Sequence, residues 1–188
     1  FGPHKNFAVG AAQHDWILSI DADEIASEEL VRNIEKLNLS DINVCYRIQR
    51  ANYLNGRKIR FSGWGNDQVI RLFNRKATRF YDLPVHESVI PTRVVRQLSG
   101  ELVHHPYPTP ADFERKTLQY ASLAHQRIRQ NVAKPEAMWI SLLRAGWAFC
   151  RPFILKLGFL DGSAGFRIAA IGARYTFLKY HGVTKDTD

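Results

Sequence analysis

Cysteine is scarce in this chain: Cys45 and Cys150 are its only two and stand far apart. That excludes a disulfide framework and the paired-ligand spacing of a structural zinc site, and makes a reducing compartment the easier fit. Acidic residues are outnumbered, 18 against 26 basic, for a formal net charge of +8 and a pI near 9.7. The imbalance points to an anionic partner: nucleic acid, a phosphate-bearing substrate or an acidic membrane surface. A bilayer-spanning apolar run is also missing, because the most apolar stretch, 138–159, is interrupted by Arg144, Arg151 and Lys156, cations that would be costly at a bilayer centre. There is no internal repeat, no low-complexity tract, no recognised nucleic-acid-binding module and no aromatic-basic array, so nucleic acid is not the expected partner. The first residues lack a signal-peptide pattern and the chain opens on Phe1, from which a piece of a longer protein is expected. What remains, 188 residues at 45% hydrophobic and 12% aromatic, is enough to bury a real core.

The most informative stretch is Trp16-Ile17-Leu18-Ser19-Ile20-Asp21-Ala22-Asp23-Glu24, where an apolar run ends in three carboxylates. A short apolar run of this kind reads as an interior strand of a parallel sheet, and side chains just past its end sit where open α/β folds bind ligands. Asp21 and Asp23 act jointly if the backbone stays extended there. Hard oxygen ligands favour Mg2+ or Mn2+, with phosphate oxygens completing the shell. A solvated turn is the plainer alternative. A calcium loop is excluded, since its fifth, sixth and twelfth positions hold Ile25, Ala26 and Arg32. A phosphatase strand of the haloacid dehalogenase type would continue with Gly-Thr, and here Glu24-Ile25 follows.

Downstream, Ser27 caps a helix with Glu28 and Glu29 at its positive end and Leu30, Ile34 and Leu37 as its apolar stripe. Val44, Tyr46 and Ile48 alternate with Cys45, Arg47 and Gln49, the pattern of a strand with one buried face. Asn55-Gly56 supplies a hairpin turn. Residues 68–73, 85–90 and 101–104 are further strand candidates. Thr109-Pro110 with Asp112 opens a helix running to about Asn131, and Lys134-Pro135 breaks it. Composition then changes, which divides the chain into 1–133 and 134–188. In the second part Arg144 and Arg151 share a helical face, as do Arg167 and Arg174. With Trp139, Trp147 and Tyr175 they fit helices lying in a membrane interface, unless their apolar faces pack on the domain.

Gly2-Pro3-His4-Lys5-Asn6-Phe7-Ala8 followed by the Asp15–Glu24 segment resembles family 2 glycosyltransferases of the GT-A fold, and more closely their bacterial lipopolysaccharide inner-core branch. Asn55-Gly56-Arg57, Ser62-Gly63-Trp64, Arg71-Leu72-Phe73, Val85-His86-Glu87, His105-Pro106-Tyr107, Asp161-Gly162-Ser163-Ala164-Gly165-Phe166 and Thr176-Phe177-Leu178-Lys179-Tyr180 follow in that group's order and approximate spacing. The resemblance implies an α/β GT-A sheet with flanking helices, its first strands preceding this chain, and C-terminal amphipathic helices. It further implies inverting transfer of a hexose, glucose or a relative, from a nucleotide-diphosphate sugar such as UDP-glucose to a lipid-linked oligosaccharide acceptor of the lipopolysaccharide core. The place of work would be the cytoplasmic face of the bacterial inner membrane, on an anionic membrane surface.

On that reading Asp21 and Asp23 hold a metal ion against the donor diphosphate, where negative charge develops on the leaving group. Lys5 and Asn6 contact the donor with Asp21, although Lys5 reads equally as a solvated lysine. Glu87 is the expected base for the acceptor hydroxyl, Asp67 the second choice, and pairing of Glu87 with an arginine is the structural alternative. His86, His104 and His105 are not expected as metal ligands, His105 and Lys116 being candidates to face the acceptor. With the first strands outside it, the chain by itself is expected neither to bind donor tightly nor to catalyse. The absence of a Gln-x-x-Arg-Trp segment argues for addition of a single sugar. A magnesium-dependent phosphatase and a noncatalytic membrane-interface module are the other classes the residues allow.

Overall fold

The computed structural model describes residues 2–82, 88–107, 109–131 and 136–182. In chain order its elements are α1 (Gly2–Ala11), β1 (Trp16–Leu18), β2 (Glu24–Ala26), α2 (Glu28–Glu35), β3 (Val44–Leu54), β4 (Arg57–Lys58), β5 (Asp67–Asn74), β6 (Val94–His104), α3 (Pro110–Asn131), α4 (Met138–Cys150), a π-helical turn (Arg151–Leu155), a 3-10 turn (Gly158–Asp161) and α5 (Ser163–His181). The fold is mixed α/β, a sheet flanked by helices. The chain forms two compact units, Phe1–Ala51 with Asn66–His104, and Asn52–Gly65 with His105–Asp188. This grouping puts α3 with the C-terminal helices, whereas composition changes only at 134.

In the first unit the strands lie in the order β1-β5-β3-β6-β2, with β1–β5, β5–β3 and β2–β6 antiparallel. The run at 16–20 is therefore not an interior parallel strand. It contributes three residues at one end of the sheet, and Ile20 is exposed. The chain leaves β1 at one end of the order and enters β2 at the other. A flat sheet would set those strands about 19 Å apart, nearly the full reach of the six steps from Leu18 to Glu24. A turn shortens that reach further, so the sheet curls.

Both faces of this sheet are covered. Leu30 of α2 packs with Val44, Tyr46, Ile48, Leu72 and Leu102, while Cys45, Phe73 and Phe80 form a second cluster with Val9 of α1. The single buried face expected for β3 is thus two: Arg47 is exposed, but Cys45 is as buried as Val44. α2 starts as its sequence dictates, the Ser27 hydroxyl accepting from Leu30 N at 3.2 Å and from Glu101 N at 3.1 Å.

One irregularity matters for function. Tyr46 pairs with Leu72 and Arg47 with Ile70, so Arg71 is the extra residue of a β-bulge. The bulge resets the strand's phase: Val69 and Leu72 reach one cluster, Ile70 and Phe73 the other.

The second unit begins with the end of β3. Asn55 and Gly56, at φ 51° and 71°, make the tight turn into β4, the double positive φ that an Asn-Gly pair provides at little cost. Its core joins Leu54, Ile59, Phe113, Ile168 and Ile171. At the start of α3 the Thr109 hydroxyl accepts from Asp112 N at 3.1 Å. Asp161 is buried and accepts from Arg60 N and Phe61 N, each at 3.0 Å, and from the Ser62 hydroxyl at 3.1 Å. Gly165 permits α5 to touch the 3-10 turn, because a Cβ there would lie 1.8 Å from Gly158 O. Among the described residues no helix is long and apolar enough to cross a membrane. The expected strand 85–90 and the breaker at Lys134-Pro135 fall wholly or partly outside the described residues, although Val89 bridges Phe80.

Candidate functional site

The first unit's carboxylates sit on a turn, not on extended chain. Glu24 N donates to Asp21 O at 3.0 Å, and Asp21 N donates to Glu24 Oε2 at 3.1 Å. The extended backbone expected for joint use of Asp21 and Asp23 is absent, because 19–23 must cross from β1 to β2. In crossing, it passes side chains of β5 and β3.

Those side chains are cations. Arg71 Nη2 donates to both Asp21 and Glu24, Lys5 Nζ to Asp21 at 2.7 Å, and Arg50 lies 3.4 Å from Glu24 and 2.8 Å from Asp67. Glu24's side chain is 0% exposed, and a carboxylate so buried persists only with such partners. Burial pushes the Asp21 carboxyl up, but the Lys5 hydrogen bond and the Arg71 charge outweigh it and hold Asp21 below the ordinary carboxylate range. Arg71 is the mirror case: burial works against its charge, and Glu24 and Asp21 raise it above the ordinary guanidinium value. The bulge delivers Arg71 here. Its Nε is a buried donor with no hydrogen-bond partner among the described residues.

A cleft of about 720 Å³ opens at this cluster, with Lys5, Arg50 and Arg71, Asp21, Phe80 and Tyr81 in its wall. Three cations and one carboxylate face the cavity, while Glu24 and Asp67, which do not line it, pair with the same cations, so an anion would bind here by competing with those carboxylates. Lys5 stands 5.3 Å from the centre of the Phe80 ring. Asn6 fixes that wall: its amide donates to Phe80 O at 3.0 Å and to Asp82 at 2.8 Å, and its oxygen accepts from Phe80 N at 2.9 Å.

The donor set for a divalent ion is uneven. Both Asp21 oxygens are engaged by cations, whereas Asp23 is half exposed, with His104 Nε2 at 3.5 Å. Burial first and Arg50 second keep the His104 imidazole below its ordinary value, hence neutral near pH 7, the form in which histidine ligates metal. Asp23 fits a hard cation as it stands; each Asp21 oxygen already accepts from a cation and would ligate the ion through its remaining lone pair. No group of three or more acidic, histidine or cysteine side chains spaced for a metal occurs among the described residues.

Of the residues picked from sequence, Lys5 and Asp21 meet in the cleft wall, Asn6 braces it and Asp23 flanks it. Asp67 is held by Arg50. Glu87 lies outside the described residues; its sequence neighbour Ser88 lines the cleft. In the second unit His105 stacks near Tyr53, ring centres 5.3 Å apart, and Lys116 lies 5.6 Å from the centre of the Tyr107 ring. Sequence reasoning missed Arg71 and Arg50 as site cations. The signal was present in Val69-Ile70-Arg71-Leu72-Phe73, where a cation inside an apolar strand demands a buried counter-charge.

No family model matches the chain. It is similar, at 29% identity over 189 residues, to a protein of Rickettsia typhi named an uncharacterized glycosyltransferase, and at 28% to one of Rickettsia prowazekii with the same description. In both cases the match covers 93% of this chain and 64% of the relative, so the chain spans under two thirds of the length of the relatives it matches.

Proposed function

We propose that the chain carries the diphosphate-facing part of a glycosyltransferase that moves a hexose from a nucleotide-diphosphate donor. The observation that carries this reading is the cation-walled cleft, in which Lys5, Arg50 and Arg71 surround Asp21. The similarity to the two Rickettsia glycosyltransferases supports sugar transfer as the reaction class. A diphosphate leaving group gains negative charge as the glycosidic bond breaks, and fixed cations stabilise that charge without reorganising. Lys5 and Arg71 are held for this by the carboxylates they pair with.

Asp23, with Asp21 through its remaining lone pairs, would hold Mg2+ or Mn2+. Such an ion would supply further charge neutralisation at the diphosphate. Glu87 is our choice for the base that takes the acceptor proton, with Asp67 second. The finer reading follows the sequence resemblance: family 2, GT-A fold, UDP-glucose as donor and a lipid-linked lipopolysaccharide core saccharide as acceptor. We further infer peripheral attachment to the cytoplasmic face of the inner membrane. Support for attachment comes from α4 and the turns after it, where Trp139, Leu143 and Leu155 are 64%, 65% and 63% exposed.

Transfer of labelled glucose from UDP-glucose to lipid-extracted core acceptor by the full-length gene product, with Mn2+ or Mg2+ and with chelator, tests the reading. Transfer should require the metal and be lost in Asp23→Asn and Glu87→Gln. Undiminished transfer by Asp23→Asn would remove the metal role, and release of free phosphate without transfer would replace the reading with a phosphatase.

A further inference from the structure

The second unit holds a groove of about 610 Å³ that shares no lining residue with the cleft above, with Trp64, Trp147, Tyr175, Arg144, Arg151 and Lys156 in its wall. Among the described residues no carboxylate lines it. Arg144 is paired with Glu136 at 2.9 Å, but neither Arg151 nor Lys156 is ion-paired with a described residue. These two cations reach the groove together for a local reason. Lys156 N donates to Arg151 O at 3.0 Å, an i to i+5 bond that closes a π-turn. In an α-helix, residues five apart point about 140° away from each other. The wider π-turn brings them near one side, and such turns recur at functional sites.

The rest of the groove is preset. Ser62 and Leu157, both non-glycine, hold positive φ of 59° and 53°, conformations that persist only where the surroundings enforce them. Asp161 enforces the first through the Ser62 hydroxyl, and Ser62 N donates to Lys156 O at 3.0 Å. At Gly63, φ 84°, a Cβ would meet the Lys156 side chain at 3.0 Å. The lysine stem therefore lies against bare backbone.

Flat aromatic faces suit the C–H faces of a sugar ring, and two unpaired cations on one side suit a phosphate. We propose that this groove recognises a phosphorylated saccharide. Identifying that saccharide with the sugar acceptor rests on the glycosyl-transfer reading; the binding itself does not.

The test is titration of the chain with glucose 6-phosphate, glucose and inorganic phosphate, followed by calorimetry and tryptophan fluorescence in the absence of nucleotide. Glucose 6-phosphate should bind saturably, at least about tenfold more tightly than phosphate, and neutral glucose should not bind. Arg151→Gln with Lys156→Gln should weaken it by at least about tenfold, and Trp147→Ala should weaken the sugar phosphate but not phosphate, both with unchanged circular dichroism. Equal binding of glucose, equal binding of phosphate, or wild-type affinity in the double variant would each overturn the proposal. So would binding of soluble glycerol 3-phosphate as tightly as glucose 6-phosphate, which would assign the cations to a lipid headgroup. UDP titration of the same variants in the full-length gene product reports the first unit's cleft separately, so loss of one site is distinguishable from loss of the other.

Discussion

Replacing Arg71 by Met tests whether the bulged cation holds the carboxylate cluster together. Breaking a buried ion pair by removing one partner costs about 3–5 kcal/mol. The low end applies here, because Arg50 still stands 3.4 Å from Glu24 and a third of the Asp21 side chain is exposed. Against that, the substitution removes the partnerless Nε, a buried donor carrying a desolvation cost of about 1–3 kcal/mol. Taking about 3 less about 2, the net expectation is a loss of about 1 kcal/mol, read by urea unfolding, or about 2–4 °C in Tm for a chain of this size. Adding Glu24→Gln removes the charge that Arg71→Met strands, and the double variant should regain about 1 kcal/mol. A change under about 0.5 kcal/mol in Arg71→Met, or a double variant no more stable than the single, would refute the argument that Glu24 depends on Arg71.

Three further outcomes follow from the geometry. Since the Asp21 carboxyl is held below its ordinary 3.8, the stability it contributes is present above that pH and lost as pH falls through the lowered value. The stability difference between wild type and Lys5→Met should therefore be full above about pH 5 and shrink toward zero in stronger acid; a difference independent of pH would remove the ion pair as its source. Asp161→Ala orphans two backbone donors and a hydroxyl and should cost about 3 kcal/mol or more, with Asp161→Asn milder, both measurable by thermal melting. Leu143→Asp and Leu155→Asp should each lower sedimentation with phosphatidylglycerol vesicles at least about tenfold at unchanged Tm, and undiminished sedimentation would take these residues out of the membrane contact.

Some of this was readable in the chain and some was not, for a physical reason. The Ser27 cap, the Thr109 cap and the Asn55-Gly56 turn each depend on atoms within three residues, so the local sequence decides them. Lys5 and Asp21, taken from the sequence as donor contacts, lie hydrogen-bonded in one cleft wall, but they stand 16 residues apart and no local pattern announces that contact. The bulge at Arg71, the position of β1 at the sheet's end and the pairing of Glu24 with His104 depend on partners dozens of residues away. No periodicity within 16–24 announces that the apolar run ends in a crossing turn. Both faces of β3 are buried because α1 and Phe80 arrive from elsewhere, which alternation within 44–49 does not encode.

Consider β5 with Arg71 left out. Val69, Ile70, Leu72 and Phe73 would then alternate as a regular strand, each side chain already in the cluster it occupies now. Packing therefore has no use for the extra residue. Its guanidinium is an insertion written into a finished strand, and a chain shorter by that one residue would keep its core while losing the charge on which its carboxylates rely.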